Sequence, residues 1–186
     1  MPNQEAPARY GAVAQLLHWV IAVLIAIQFA LFWLEDDLPL GSHKLALLAR
    51  HKSCGMTVLM LAVVRVVWRL THRPPPPAGV SVLQHRAAQG AHGALYVLLF
   101  AMPLTGWLMS SAKNYSVSWF GLFTWPDLIG KNVATYKALH LTHEILSDAL
   151  IVTVALHVAA AVLHHFWNQD DVLMRMLPFK DTGKRS

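Results

Sequence analysis

Charged side chains are scarce in this chain of 186 residues. Asp, Glu, Lys and Arg together make up 13% of it, whereas they make up about a quarter of a typical soluble domain. Hydrophobic residues make up 55%, and the mean hydropathy is +0.42. So little charge and so much apolar surface predict an integral membrane protein, organised as a single domain over residues 1–186.

Cysteine is scarcer still, because Cys54 is the only one. A single thiol excludes an intrachain disulfide and any iron–sulfur or zinc site built from several cysteines. Acidic residues are also few, and the net charge is +5. The basic residues lie at the ends of apolar runs, which is typical of membrane topology. We therefore interpret the positive charge as orienting the protein in a lipid bilayer, and we expect no nucleic-acid partner.

Long apolar runs make up most of the sequence. They predict transmembrane helices at about residues 13–34, 51–70, 91–111 and 143–167, each close to the ~20 residues that cross a bilayer. The prolines from Pro74 to Pro77 cannot continue a helix and are predicted to form a loop. The aromatic-rich connection, residues 112–139, is predicted to be an amphipathic segment at the membrane interface. The first run lacks a clear signal-peptide cleavage site, so we expect it to be retained. The predicted fold is an all-α membrane protein with a four-helix bundle.

Lys and Arg divide unequally between the two sides of such a bundle. One side receives nine of them: Arg9, Arg65, Arg69, Arg73, Arg86, Arg175, Lys180, Lys184 and Arg185. The other side receives six: Lys44, Arg50, Lys52, Lys113, Lys131 and Lys137. Because the side richer in Lys and Arg is usually the cytoplasmic one, both termini are predicted to be cytoplasmic.

Histidines are unusually frequent, eleven against ten acidic residues. His143 and His157 lie fourteen residues apart on the fourth helix, which is ~21 Å along one face. In an antiparallel bundle, His18 is level with His157 on the inner side and His51 is level with His143 on the outer side. Ionisable side chains at this depth indicate a functional site. Two level pairs predict two b-type haems, each with two histidine ligands and no open iron position, which suits electron transfer.

Other polar residues share these faces. His92 is level with His18 and is an alternative inner ligand; otherwise it contacts a propionate or has a packing role. Arg65 and Arg69 follow His51 by fourteen and eighteen residues, so both point towards the inner pair, where haem propionates need cations. The alternative is that these arginines extend to the membrane surface.

His164 lies seven residues after His157, ~10 Å nearer the cytoplasm on the same face. There it is predicted to donate a hydrogen bond to a propionate or to a quinone carbonyl; the alternative is a plain interfacial histidine. Gly55, one turn after His51, either admits a flat macrocycle close to the backbone or serves helix packing.

Several runs of residues resemble a known family, the bacterial cytochromes b561. They are LHW at 17–19, RHKSCG at 50–55, AHGALYVLLFAMPLTG at 91–106, THE at 142–144 and LHVAAAVLHHF at 156–166. The similarity is greatest to the branch described as superoxide oxidases, which are superoxide:ubiquinone oxidoreductases of the inner membrane. The resemblance implies that His18, His51, His143 and His157 ligate two haem b groups, and that His164 lies at a quinone site.

The expected function is therefore transmembrane electron transfer, from superoxide or another small donor at the outer face to ubiquinone in the membrane. The six outer basic residues would attract an anion such as superoxide. One alternative is a quinone-reducing cytochrome b anchor subunit of a dehydrogenase or hydrogenase. A further alternative is a histidine-rich metal transporter, but the ~20 Å between the two histidine pairs argues against ligands converging on one ion.

Overall fold

The structure, a computed structural model, describes residues 9–75 and 81–178. Its elements in chain order are α1 (Ala12–Asp36), α2 (Ser42–Thr71), α3 (Val82–Ala112), β1 (Val117–Trp119), β2 (Phe123–Trp125) and α4 (Val133–Phe166). The sequence-based predictions that concern Pro76, Pro77, Lys180, Lys184 and Arg185 lie outside the described residues. Pro74 and Pro75 follow the end of α2 and are not helical, as predicted.

All four helices are long enough and apolar enough to cross a membrane. Large apolar side chains cover their outward faces; examples are Leu16, Trp33, Val97 and Leu156, each more than 60% exposed. An exposed apolar surface of this extent is unfavourable in water and is satisfied by lipid. The prediction of an all-α membrane bundle is confirmed.

Three helices begin earlier than the apolar runs predict. The helix expected from residue 51 begins at Ser42, the one from 91 at Val82, and the one from 143 at Val133. Polar caps set two of these starts: Ser81 and Gln84 form a reciprocal capping box, and Asn132 accepts a hydrogen bond from Thr135 N. The predicted starts were too late because hydropathy finds the lipid-facing part of a helix, whereas caps decide where the helix begins.

The connection between α3 and α4 contains a short antiparallel hairpin in place of the predicted amphipathic segment. Its turn has positive φ at Phe120 (50°) and Gly121 (76°), with Leu122 N donating to Trp119 O at 2.9 Å. Two consecutive positive φ values match the twist of the strands, and glycine adopts its value without strain. The hairpin docks on α2, where Phe120 N donates to Ser53 Oγ at 3.0 Å.

The helices pack in chain order: α1 against α2, α2 against α3, and α3 against α4. A small core of Ile21, Val58, Ala62 and Leu99 joins the first three helices. Among the described residues, the backbone of α4 approaches that of α3 closely and approaches neither α1 nor α2. Side chains that reach from α4 to α1 or α2 therefore cross a more open part of the bundle.

The segment after α4 turns back to the start of α1. Tyr10 N and Gln15 Nε2 both donate to Arg175 O, at 3.2 and 3.1 Å, and Trp19 Nε1 donates to Met176 O at 2.9 Å. These bonds hold residues 170–177 against the end of the bundle that carries His18.

Candidate functional site

Three histidine rings from three helices meet at the end of the bundle that carries His18. We call it the inner end because it is predicted to be cytoplasmic, and we call the opposite end, which carries His51, the outer end. The ring centroids of His18 on α1 and His157 on α4 lie 6.1 Å apart, and those of His92 on α3 and His157 lie 5.5 Å apart. His18 and His157 are half-buried, whereas His92 is exposed. The structure thus brings together the predicted pair, His18 and His157, and places His92, the predicted alternative ligand, beside it.

The spacing of the inner rings can be tested against bis-histidine ligation. Two imidazoles that bind one metal from opposite sides, with bonds of about 2.0 Å, place their centroids roughly 6 Å apart. The separation of 6.1 Å between His18 and His157 fits this arrangement, and the 5.5 Å between His92 and His157 is shorter than it requires. The inner pair fits a haem whose two ligands come from α1 and α4.

Arg65 supplies positive charge near these rings. It interacts electrostatically with His18, His92 and His157, and its Nε atom donates to Tyr96 Oη at 3.2 Å. Its guanidinium also lies 5.9 Å from the centre of the Tyr96 ring. Arg65 is half-buried, whereas Arg69 is exposed and, of the inner histidines, interacts with His92. The two arginines predicted to act alike therefore have different surroundings.

The outer pair, His51 on α2 and His143 on α4, interact electrostatically across the bundle. The Nδ1 atom of His51 is buried and has no hydrogen-bond partner among the described residues. A buried ring nitrogen without a partner costs stability unless another group satisfies it. This orphaned nitrogen fits a site that is completed by a bound cofactor.

His143 is oriented by two neighbours on α3. Its Nδ1 atom lies 3.1 Å from Thr105 Oγ1, whose own proton is directed at the carbonyls of Ala101 and Met102, at 2.8 and 2.9 Å. Thr105 therefore accepts, Nδ1 carries the imidazole proton, and Nε2 is left free to bind a metal. A methyl group at Gly106 would lie 3.2 Å from His143 Cε1, so the glycine lets the ring sit close to the helix backbone.

Gly55 faces Gln28 of α1 across the helix interface. A methyl group there would lie 3.0 Å from Gln28 Nε2, and Gln28 Oε1 is buried without a partner among the described residues. Of the two interpretations offered for Gly55, these contacts favour helix packing.

His164 lies at the inner end of α4, where it lines a cleft of about 510 Å³ with Gln84, Ala160, Leu163, Trp167 and Asn168. Its Nδ1 atom is 2.5 Å from Asp170 Oδ2 and 3.2 Å from Asn168 Nδ2. The cleft is open and mostly apolar, with a few amide and imidazole groups in its lining.

Basic and aromatic side chains gather at the outer end. Lys52 follows His51 directly, and its Nζ atom donates to Tyr115 O at 3.3 Å. Lys113 donates to Tyr136 Oη at 3.3 Å and lies 4.7 Å from the centre of that ring. The charges of Lys52 and Lys113 interact, and Asp127 partly offsets them. The outer end therefore presents positive charge beside the outer histidine pair.

Sequence reasoning missed the residues that support these sites: Tyr96, Thr105 and Asp170. Thr105 and Tyr96 lie on α3, whose role was considered only for His92, and Asp170 lies beyond the end of α4. No pattern along the chain relates Thr105 to His143, thirty-eight residues later. Within residues 9–75 and 81–178, no three His, Cys, Asp or Glu side chains converge as a conventional metal site, and the geometry instead favours histidine pairs.

A family model described as prokaryotic cytochrome b561 matches residues 9–179. A relative from Escherichia coli K12, "Cytochrome b561 homolog 2", is 35% identical over 95% of both chains. A second relative, from the same strain, "Cytochrome b561 homolog 1", is 29% identical over 91% of this chain and 97% of its own. "Probable superoxide oxidase CybB" of Yersinia pestis is 28% identical over 92% of this chain and 97% of its own.

The family match covers almost the whole chain, and it agrees with the observed fold, a helical bundle in which histidines of different helices face one another. The chain belongs to the prokaryotic cytochrome b561 family, bacterial membrane proteins that bind b-type haem in a helical bundle and transfer electrons across the membrane.

Proposed function

We propose that the protein oxidises superoxide at the outer face of the bacterial inner membrane and reduces ubiquinone within it, through two b-type haems. The observation that carries this proposal is the pairing of histidines between α4 and helices that its backbone does not approach. In the proposed assignment, His18 and His157 ligate the inner haem, and His51 and His143 ligate the outer one. A b-type haem held by two imidazoles supplies one-electron transfer without an open coordination position.

His92 is assigned a supporting role. It is more exposed than His18 and His157, and its distance from His157 is short for a ligand pair. Because its ring lies beside the inner pair, we assign it the role of donating a hydrogen bond to a propionate of a haem bound there. Arg65 supplies positive charge at the same level, and Arg69 contributes from a more exposed position.

The overall reaction takes one electron from each of two superoxide ions, releases two molecules of oxygen, and adds two electrons and two protons to one ubiquinone. Lys52 and Lys113 lie at the outer end, where their positive charge raises the local concentration of a small anion. The 28% identical Yersinia protein whose printed name is probable superoxide oxidase supports this donor.

Quinone is assigned to the inner cleft beside His164. An imidazole there can hydrogen-bond a quinone carbonyl and supply a proton when the carbonyl is reduced. The cleft volume of about 510 Å³ lies within the range of pockets that bind small organic molecules. This site requires both termini to be cytoplasmic, as the distribution of Lys and Arg predicts.

The test is anaerobic stopped-flow mixing of the purified haem-loaded protein with superoxide, followed by a short-chain ubiquinone. We expect the haem spectrum to become reduced rapidly and then to become oxidised again when quinone is added. The reduction rate should fall as salt is raised, because exposed charges are screened within ~10 Å at 0.1 M.

The variant Lys113→Gln tests the role of the outer positive charge directly. Lys131→Gln, in the same connection between α3 and α4, is the matched control. Lys113→Gln should slow reduction and weaken its salt dependence, whereas Lys131→Gln should change it less. Absence of reduction by superoxide would favour the alternative of an anchor subunit that receives electrons from a partner protein.

A further inference from the structure

A carboxylate, that of Asp170, contacts His164 beside the cleft. Asp170 Oδ2 lies 2.5 Å from His164 Nδ1, and both side chains are more than three-quarters shielded, with 24% and 18% of their side-chain surface exposed. Of the two groups near this nitrogen, the Asp170 carboxylate is an acceptor and the Asn168 amide nitrogen is a donor, so Nδ1 carries a proton and donates it to Asp170. His164 Nε2 is then the nitrogen left to act on a ligand.

The carboxylate of Asp170 is itself held in place. Its Oδ1 atom accepts from Val172 N at 3.1 Å, and Asp170 N donates to His164 O at 3.2 Å. The following residues are held against α1 by Gln15 and Trp19, which donate to the carbonyls of Arg175 and Met176. The segment that carries Asp170 is therefore fixed at both ends, and the imidazole is oriented before any ligand arrives.

We propose that Asp170 is a positioning residue for proton delivery: it holds His164 in the form protonated on Nδ1, so that Nε2 faces the cleft and passes protons to the bound quinone. This inference rests on the proposed function. It assigns the proton path of quinone reduction to the short segment that follows α4.

Doubly protonated His164 gives the Nε2 proton to a quinone oxygen, the N–H bond breaks and an O–H bond forms. The Nδ1 proton stays on the ring, where the carboxylate stabilises the positive charge before transfer. Nε2 then takes a proton from cytoplasmic water, and a second transfer completes the quinol, with both electrons supplied by the two superoxide ions.

The test compares Asp170→Asn, Asp170→Glu and Asp171→Asn in the haem-loaded protein. Asp171 is the matched control, because it is the adjacent carboxylate and is exposed. Asp170→Asn should keep both haems and keep their reduction at the outer face. It should lower kcat for ubiquinone reduction about tenfold to a hundredfold, the effect of one charged hydrogen bond. KM for ubiquinone should change little, Asp170→Glu should restore most of the rate, and Asp171→Asn should match the parent.

A double variant adds a readout that misfolding would not produce. If Asp170 acts through His164, His164→Gln combined with Asp170→Asn should be no slower than His164→Gln alone. A parent rate in Asp170→Asn would overturn the positioning role while leaving the quinone site intact, and so would equal losses in Asp170→Asn and Asp171→Asn. If the haem-loaded parent is not reoxidised by ubiquinone at all, the proposed function fails and the proton path fails with it.

Discussion

The outer and inner histidine pairs use the same side chains in different surroundings. At the outer pair, neutral contacts orient His143: a hydrogen bond of 3.1 Å to Thr105 and the close backbone of Gly106. At the inner pair, a third ring, that of His92, lies 5.5 Å from His157, and Arg65 interacts with all three histidines. Both pairs lie near a cation, Lys52 at the outer pair and Arg65 at the inner pair, and the inner pair differs by the third imidazole beside it.

This difference suits the reactions proposed at the two ends. Electron entry from superoxide requires no proton, so a fixed orientation of the outer ligands is sufficient there. Electron exit to quinone is coupled to protons, and the inner end contains the additional imidazoles and the carboxylate that can move them. Arg65 near the inner pair stabilises the reduced, less positive form of a metal centre there, as Lys52 does near the outer pair.

Removal of one ligand should have the largest effect and should show whether the two centres are independent. His143→Ala and His157→Ala should each retain about one of the two haems, because the pairs share no ligand. Pyridine haemochrome analysis with protein quantification gives the ratio, and the control His92→Ala should retain both. A loss in His92→Ala equal to that in His157→Ala would show that the inner ligands are assigned wrongly.

Thr105→Val tests whether the outer pair depends on its hydrogen bond. The substitution preserves shape but removes the hydroxyl acceptor of His143 Nδ1, and loss of such a supporting contact typically costs 10–100-fold in metal affinity. Haem retention at the outer site should fall by about that amount in a competition assay with apomyoglobin, while the inner site is unchanged. Thr153→Val is the control, since that hydroxyl donates only within α4, to Ala149 O at 2.7 Å.

Arg65→Gln tests whether the reduction potential of the inner centre depends on the nearby positive charge. Loss of the cation should lower the reduction potential of the inner centre by the equivalent of about 1–2 kcal/mol, the scale of a partly screened charge interaction. Spectroelectrochemical titration should show the outer potential almost unmoved. The exposed Arg69 provides the control, and Arg69→Gln should shift the inner potential less. Equal shifts of both centres would show that the charge acts on the bundle as a whole.

Gly106→Ala should have the smallest effect and should be confined to the outer pair. The added methyl group would lie 3.2 Å from His143 Cε1, so the ring must move by a few tenths of an ångström. An off-rotamer shift of this kind costs about 0.5–1.5 kcal/mol, or roughly twofold to tenfold in haem retention. Gly93→Ala is matched on the same helix, where nothing lies within 4 Å of the added group. It should leave haem retention unchanged and stabilise α3 slightly.

The sequence predicted the four membrane helices and the level of each histidine because both follow from local rules. Apolar length determines which segments cross the bilayer, and helical rise determines the depth of His143 and His157 along α4. The early starts of α2, α3 and α4 and the hairpin between α3 and α4 were not predicted. Caps and turns depend on a few polar residues and on positive φ at Phe120 and Gly121, which hydropathy does not detect.

By itself, the sequence determined that this protein lies in a membrane and that histidines occupy two levels within it, since composition and helical periodicity are properties of the chain alone. Only the tertiary structure decided which side chains support those histidines. Thr105 contacts His143, Arg65 contacts Tyr96, and Asp170 contacts His164. These contacts follow from how α3 packs against α2 and α4 and how the last segment folds back. Such contacts depend on how each helix is rotated about its axis and on the path of each loop. A shift of one residue along a helix or loop would bring a different side chain next to each of these histidines.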